Sequence, residues 1–432
     1  MSVRARSAGT ARRLPFGIGT VVLVLCAALV ASAGAVLAIG TPDDPAETYT
    51  AGVLRDYRSS PEVAWTQSSD TLPDYRGDGA VEVADTWQDQ WLLAYPSGLG
   101  RAFLLVDRYT GKPLWSSQIT VGLGDCAFTQ TGRLGCAVKL GDRPDGFYLV
   151  TDDGTATPTS DLDDTARVLG VGDNFVRVNQ SGYRVTLRTP AGQTRWSRTF
   201  GAAASARFVD GVLIVATVDG SEFVLDPATG TDRVSCSQCD IRAYPTGIAV
   251  VSTEFGDEKV SMYSTAGGTV APRPVSESGG LTVLDAPSTL PVLTATGDND
   301  VMATQGRYEI RDPAQARALW TISDPELSKA NARPCGSLVS FARKDGSRVT
   351  YRLRDGRQIA AMPAPDSPDR NISTLSCVGS SADGMVFVNA NQLTAFSGGR
   401  VSWEQDISGS ASAVDGYIVV TQGTTVSVLR PN

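Results

Sequence analysis

A short phrase, Leu105-Val-Asp-Arg-Tyr-Thr-Gly-Lys-Pro-Leu-Trp115, recurs in weakened form along most of this chain. It reads as a strand, an Asp-led turn closed by Gly, and a second strand carrying Trp. Fainter copies are Leu187-Arg-Thr-Pro-Ala-Gly-Gln-Thr-Arg-Trp196, Val224-Leu-Asp-Pro-Ala-Thr-Gly-Thr-Asp-Arg-Val234, Ile310-Arg-Asp-Pro-Ala-Gln-Ala-Arg-Ala-Leu-Trp320 and Ala395-Phe-Ser-Gly-Gly-Arg-Val-Ser-Trp403. Self-similarity at a period of roughly 40 residues is the mark of a repeat architecture, and it decides the fold before any single residue is considered. A length of 432 residues would by itself suggest two or three domains, but a ring of many repeats is one closed unit.

The repeat predicts an all-β chain of four-stranded antiparallel blades. Units fall at about 80–119, 123–158, 166–200, 204–236, 239–274, 281–322, 331–362 and 373–407. The Asp side chain accepts hydrogen bonds from backbone N–H groups just downstream, and Gly takes the positive φ that the turn requires. Trp on the outer strand fills the wedge that opens as blades radiate outward. Residues 411–430 supply three strands and stop, while Glu62-Val-Ala-Trp65 copies an outer strand with no three strands before it. The N-terminal strand is therefore expected to complete the C-terminal blade and remove the free sheet edge. Counted literally, this gives nine blades; the two least regular units, 281–322 and 331–362, leave room for one fewer.

The phrase Leu105-Val-Asp-x-x-Thr-Gly-x-x-x-Trp115 resembles the repeat of the PQQ-type, quinoprotein alcohol-dehydrogenase-like β-propellers, and the resemblance extends over residues 61–432. It implies an eight-bladed propeller, often outside the cytoplasmic membrane, and eight blades are the expectation taken forward. The family divides into dehydrogenases that bind pyrroloquinoline quinone (PQQ) with calcium and cofactor-free scaffolds. The dehydrogenases carry a disulfide between adjacent cysteines over the quinone. No Cys-Cys pair occurs here, and no catalytic Asp can be placed by motif. The resemblance therefore favours the scaffold branch: no catalytic, cofactor-binding or metal-binding residue is assigned, and PQQ and calcium belong only to the alternative of a quinone-dependent dehydrogenase.

Residues 16–40 carry no charge, and Arg4, Arg6, Arg12 and Arg13 precede them. At about 1.5 Å per residue such a run spans a hydrocarbon core of about 30 Å. The positive-inside rule predicts a cytoplasmic stretch at 1–15, a transmembrane helix at 16–40, a tether at 41–60 with one helical turn around Ala51–Tyr57, and an exported propeller at 61–432. Two other readings stay open: a cleaved signal with Ala31-Ser32-Ala33 as its processing site, and a lipoprotein acylated at Cys26.

The chain contains no His. That removes Ser-His-Asp and Cys-His nucleophile activation, imidazole acid–base chemistry and His-containing zinc sites. The formal net charge is −8, which argues against nucleic acid and anionic lipid as general partners. Outside the apolar segment lie Cys126, Cys136, Cys236, Cys239, Cys335 and Cys377. An even number in an exported domain suggests disulfides. Cys126 with Cys136 would tie neighbouring strands of one blade, Cys236 with Cys239 a blade junction, and Cys335 with Cys377 two blades. For Cys236-Ser-Gln-Cys239 a redox dithiol or half of a metal site stays open.

Acidic clusters at Asp152-Asp153, Asp161-x-Asp163-Asp164 and Asp298-Asn299-Asp300 offer fewer oxygens than calcium asks for and read as solvated turns. Asn371-Ile-Ser373 matches a glycosylation sequon. The expectation is a membrane-anchored binding or scaffold module of a bacterial cell envelope, with an envelope protein or a cell-wall component as partner. An envelope sensor or ligand-binding module is the further alternative.

Overall fold

Strands alternate with tight turns through nearly all of the computed structural model, which describes residues 49–159, 162–254, 257–266, 268–296 and 306–432. Among these residues the strands form nine antiparallel sheets. Eight follow in chain order at 82–122, 126–158, 165–199, 204–237, 239–279, 281–323, 327–362 and 376–406, here blades 1 to 8. Blade 9 combines Ser410–Val414, Tyr417–Gln422 and Thr425–Arg430 with Glu62–Ser68 from the other end of the chain. Trp65 stands opposite Val428, and Gln67 opposite Val426.

The eight-bladed expectation is thus corrected to nine. Units 281–322 and 331–362 are each a full sheet, with inner strands Leu281–Val283 and Leu327–Cys335. Their irregularity lies in a glycine-free turn after Asp312 and in a register shift between Leu327 and Ala332, not in a missing strand. Blade 5 departs in another way. Its outer edge is Ser276–Gly279 paired with the Lys259–Met262 stretch, with a separate two-residue pairing at Thr269–Val270.

Clusters of buried apolar side chains join every adjacent pair of blades. One runs from Val419 and Val428 of blade 9 through Trp91 and Phe103 of blade 1 to Cys136 and Tyr148 of blade 2. Others link blades 2 to 3, 3 to 4, 4 to 5, 5 to 6, 6 to 7, 7 to 8 and 8 to 9. The sheets therefore close a ring, as a propeller requires.

The outer-strand tryptophans lock one blade onto the next. The indole N–H of Trp65 donates to Arg108 O at 2.6 Å, Trp196 to Pro227 O at 3.0 Å and Trp320 to Leu353 O at 2.7 Å. Each ring lies flat against a turn glycine of the following blade. A Cβ on Gly111 would meet Trp65 at 2.6 Å, and one on Gly230 would meet Trp196 at 2.6 Å. These glycines hold φ of 66° and 71° as well, so two separate demands exclude a side chain there.

The described residues contain no helix long and apolar enough to cross a membrane. The one helical element among them is the short 3-10 turn Pro368–Arg370. Residues 1–48, and with them the expected helix at 16–40, the cleavage site at 31–33 and Cys26, lie outside the described residues. Among the described residues the fold is a propeller with no transmembrane helix, and the single-pass placement with its N-terminus inside finds no support among them.

Residues 49–60 are not a free tether, and Ala51–Tyr57 is not helical. Leu54 N donates to Ser380 O at 2.7 Å, Ser380 N to Gly52 O at 2.8 Å, and Arg55 N to Gly416 O at 3.0 Å. Leu54 and Tyr57 are buried in the seam between blades 8 and 9. The segment lies across the upper end of the ring, where the turns joining first and second strands gather. It touches Pro287, Gly336, Ser380 and Gly416 from blades 6 to 9, and Thr50 hydrogen-bonds Asp210 of blade 4.

Candidate functional site

Side chains of the inner strands face the central channel. In blades 1 to 4 they wall a cavity of about 560 Å³. Glu82, Asp85, Arg101 and Asp125 supply its charge; Trp87, Phe103, Phe128 and Phe208 supply its aromatic surface. A register shift between Val83 and Asp85 breaks simple alternation along the strand, and all six residues of Glu82–Trp87 line the cavity.

The charges are mutually engaged. Arg101 binds Glu82 and reaches Asp125 Oδ1 at 3.0 Å, while Arg167 reaches Asp125 Oδ2 at 3.1 Å. Burial pushes the Asp125 carboxyl above its ordinary range against the pull of Arg167 and Arg101. Asp85 has no cationic partner in this network. Its two oxygens accept from Thr86 N at 2.8 Å and Phe128 N at 2.7 Å, and burial still pushes its carboxyl up. The Phe128 bond ties the inner strand of blade 1 to that of blade 2. Arginines make the same kind of tie elsewhere: Arg207 to Ile241 O at 2.6 Å, Arg242 to Val283 O at 3.1 Å and Arg333 to Ser373 O at 2.5 Å.

The calcium of the dehydrogenase branch calls for about six or more oxygens. Here the oxygens of Asp125 and Asp85 are already committed to arginines and backbone N–H groups, and Glu82 to Arg101. Among the described residues no group of three or more His, Cys, Asp or Glu side chains is placed to hold a metal. These residues do not fit PQQ-with-calcium chemistry.

Three disulfides are present. Cys126–Cys136 joins directly opposed residues of blade 2, with Cα atoms 4.1 Å apart. Cys236–Cys239 closes the junction of blades 4 and 5. Cys335–Cys377 staples the inner strands of blades 7 and 8. The first lines the acidic cavity through Cys126, and the third lines a second cavity through Cys377.

The acidic clusters resolve into structural roles where they are described. Asp153 Oδ1 accepts Thr155 N at 3.0 Å in a turn. Asp163 binds Arg177 at 3.3 Å and Arg188 at 2.8 Å, and Asp164 binds Arg184 at 2.6 Å. Asp161 and 298–300 lie outside the described residues. Asn371 of the sequon is half-buried, and its Oδ1 accepts Ser373 N at 3.1 Å.

The feature missed in the sequence is an arc of exposed apolar side chains at the lower end of the ring, where second and third strands are joined and blades are linked. Leu99 is fully exposed, and Leu123, Leu140, Leu162, Tyr183 and Val218 are exposed along the same end of blades 1 to 4. Their loops touch in sequence. Gly100 abuts Gly122, Leu123 N donates to Lys139 O at 2.7 Å, Gln180 Nε2 donates to Asp145 Oδ2 at 2.9 Å, and Val218 N donates to Ala203 O at 3.0 Å beside Gly182. Leu140 is 73% exposed and holds φ 54°, a conformation a bulky residue rarely keeps without a reason. Single apolar residues scattered in strands and loops carry no signal in sequence; only the ring brings these six to one end.

No family model and no curated protein matches the chain. Solved structures similar to it include BamB from Moraxella catarrhalis, with 13% identity, a TM-score of 0.39, and coverage of 86% of this chain and 98% of that one. A second is the computationally designed Ika8 protein, with 12% identity, a TM-score of 0.38, and coverage of 81% and 96%. The β-propeller assignment rests on the nine sheets and their closure.

Proposed function

We propose that this chain is a protein-binding scaffold that docks a folded partner on the lower end of blades 1 to 4, and that its role is recognition rather than catalysis. The observation that carries this is the leucine arc: large apolar side chains exposed together on loops that a closed ring holds rigid. The surrounding charges favour a protein occupant. Lys139 and Asp145 both bond Gln180, and Arg101 and Arg167 share Asp125. No unpaired basic stripe of the kind that phosphate-rich polymers or anionic headgroups demand accompanies the leucines. A mixed, self-paired rim around an apolar centre is the anatomy of a protein interface.

The test is crosslinking mass spectrometry in the native host with the wild-type chain and a Leu99→Ser, Leu123→Ser, Leu140→Ser variant. A reproducible partner crosslinked beside these loops, and lost in the variant at unchanged melting temperature, supports the proposal. Crosslinks that survive the variant overturn it. So does a dimer in sedimentation that the same variant dissolves, because a second copy would then occupy the arc.

A further inference from the structure

Only two arginines are fully buried among the described residues, Arg177 and Arg348. Arg177 has a carboxylate, Asp163, at 3.3 Å, and its guanidinium lies 3.5 Å from the centre of the Phe147 ring. Arg348 has neither. Its Nε donates to Ser340 Oγ at 2.9 Å, Nη1 to Ser373 Oγ at 2.7 Å, and Nη2 to Ser340 O at 3.1 Å and Asn331 O at 3.3 Å. All four acceptors are neutral. A second guanidinium converges on the same serine, since Arg333 Nη2 donates to Ser373 O at 2.5 Å. Among the described residues Arg333 likewise forms no ion pair. Burial, reinforced by the charge of Arg333, pulls the Arg348 guanidinium down to about 10, which still leaves it charged at neutral pH.

Two like charges beside one serine, one of them out of water and neither with a counter-ion among the described residues, make an arrangement that costs stability unless an anion joins it. A place for one is adjacent. Arg333 and Ser373 line a cavity of about 510 Å³ between blades 6, 7 and 8, whose other walls include Leu284, Pro287, Pro334 and Leu375. The exposed Asp285 at its rim lies 3.6 Å from Arg242.

We propose that the Arg333–Ser373–Arg348 cluster is an anion site, and that the cavity takes a small carboxylate with an apolar body. Arg333 meets the carboxylate from the cavity wall. Arg348 stands behind Ser373 and supplies charge without lining this cavity, bordering instead a separate one of about 270 Å³ with Met362 and Ile372, and it orients the hydroxyl that it holds. Leu284, Pro287, Pro334 and Leu375 favour a monocarboxylate over inorganic phosphate, which offers them nothing to bury, while Thr374 and Ser376 supply polar wall beside them. The site is separate from the leucine arc and does not depend on it.

The test is titration calorimetry of the full chain with N-acetyl-leucine, and with inorganic phosphate in parallel. The expected result is saturable binding of N-acetyl-leucine at millimolar concentration, weakened at least tenfold by Arg333→Gln and by Arg348→Met, with phosphate at least tenfold weaker. Unfolding of the same variants separates a binding role from a structural one. Met can fill the Arg348 site without a buried charge, so Arg348→Met is expected to melt at or above the wild-type temperature. No saturable binding, binding indifferent to Arg333→Gln, or phosphate bound as tightly as the carboxylate overturns the proposal. A sharp fall in melting temperature for Arg348→Met, with binding unaltered in Arg333→Gln, would assign both arginines to the fold alone.

Discussion

Two seams of the ring are built from the same lock with different keys. Between blades 3 and 4 the chain runs straight on, and Trp196 of one blade docks on Gly230 of the next. Among the described residues blade 9 has no turn after its third strand, Thr425–Arg430, to receive a tryptophan. Trp403 of blade 8 donates instead to Tyr57 O at 2.8 Å, so the N-terminal segment stands in for the missing turn. The hydroxyl of Tyr57 then donates to Leu429 O at 2.6 Å and accepts from Ile418 N at 3.0 Å, fastening two strands of blade 9. A few residues farther on, Trp65 enters blade 9 as its fourth strand and docks on Gly111 of blade 1. An ordinary seam is a contact between neighbours in sequence; the closing seam is held by residues more than 300 positions apart.

The strongest way to break this contrast is to cut one tryptophan from each seam. Trp65→Ala and Trp196→Ala should each lose about 3–5 kcal/mol, the usual range for a buried indole. Trp65→Ala should also release the N-terminal strand and broaden the urea transition, and limited proteolysis should then cut near residues 49–70. Equal losses with two sharp single transitions would show that closure adds nothing of its own.

A smaller effect is expected from Tyr57→Phe. It removes two hydrogen bonds to buried backbone groups, Leu429 O and Ile418 N, at about 0.5–1.5 kcal/mol each. The exposed Tyr183→Phe serves as its control in the same thermal melts and should change nothing.

The smallest effect concerns pH and the aspartates of the receiving turns. The hydroxyl of Thr110, followed by backbone N–H groups, holds the Asp107 carboxyl below its ordinary range. At Asp226 burial acts the other way, but Arg233 and the N–H groups of Ala228 and Thr229 prevail and the carboxyl is again lowered. A lowered folded-state value stabilises the fold above the unfolded carboxylate range and is lost as pH falls through the folded value. Acid should therefore loosen both seams. Asp107→Asn and Asp226→Asn should each lower the neutral plateau and so flatten the acid limb of the stability curve, leaving stability at low pH little changed. Asp85, whose carboxyl is raised, works with the opposite sign: Asp85→Asn should steepen that limb.

The blades were legible because each unit carries its own punctuation. Asp219-Gly220 and the Asp226–Gly230 turn bound the apolar run Val212–Thr217 and the strand Ser221–Leu225, and the orphan Trp65 strand announced the closure. The blade number failed where the resemblance to eight-bladed relatives outweighed the literal count, and where Ile310–Trp320 lost its turn glycine. The locking role of Gly111 was half visible. Its positive φ follows from the turn, but its contact with Trp65 depends on a neighbour across the seam. Arg348 and Arg333 look like any other strand arginines; their burial and their shared serine exist only once blades 7 and 8 are side by side. The tether at 49–60 misled because its composition is that of a linker, whereas Leu54 and Tyr57 bury themselves in a gap that the far end of the chain creates.

That gap has a consequence for synthesis. The strand Glu62–Ser68 leaves the ribosome long before its partner Thr425–Arg430, with 361 positions separating the paired Thr66 and Ser427. At about 5–20 residues per second the wait is on the order of tens of seconds, during which one sheet edge has nothing to bind. A nascent chain of this design stays open to unwanted pairing until Thr425–Arg430 has been made, so slow codons or a stalled ribosome between the two strands prolong the exposure, whereas the same delays upstream of Glu62 do not.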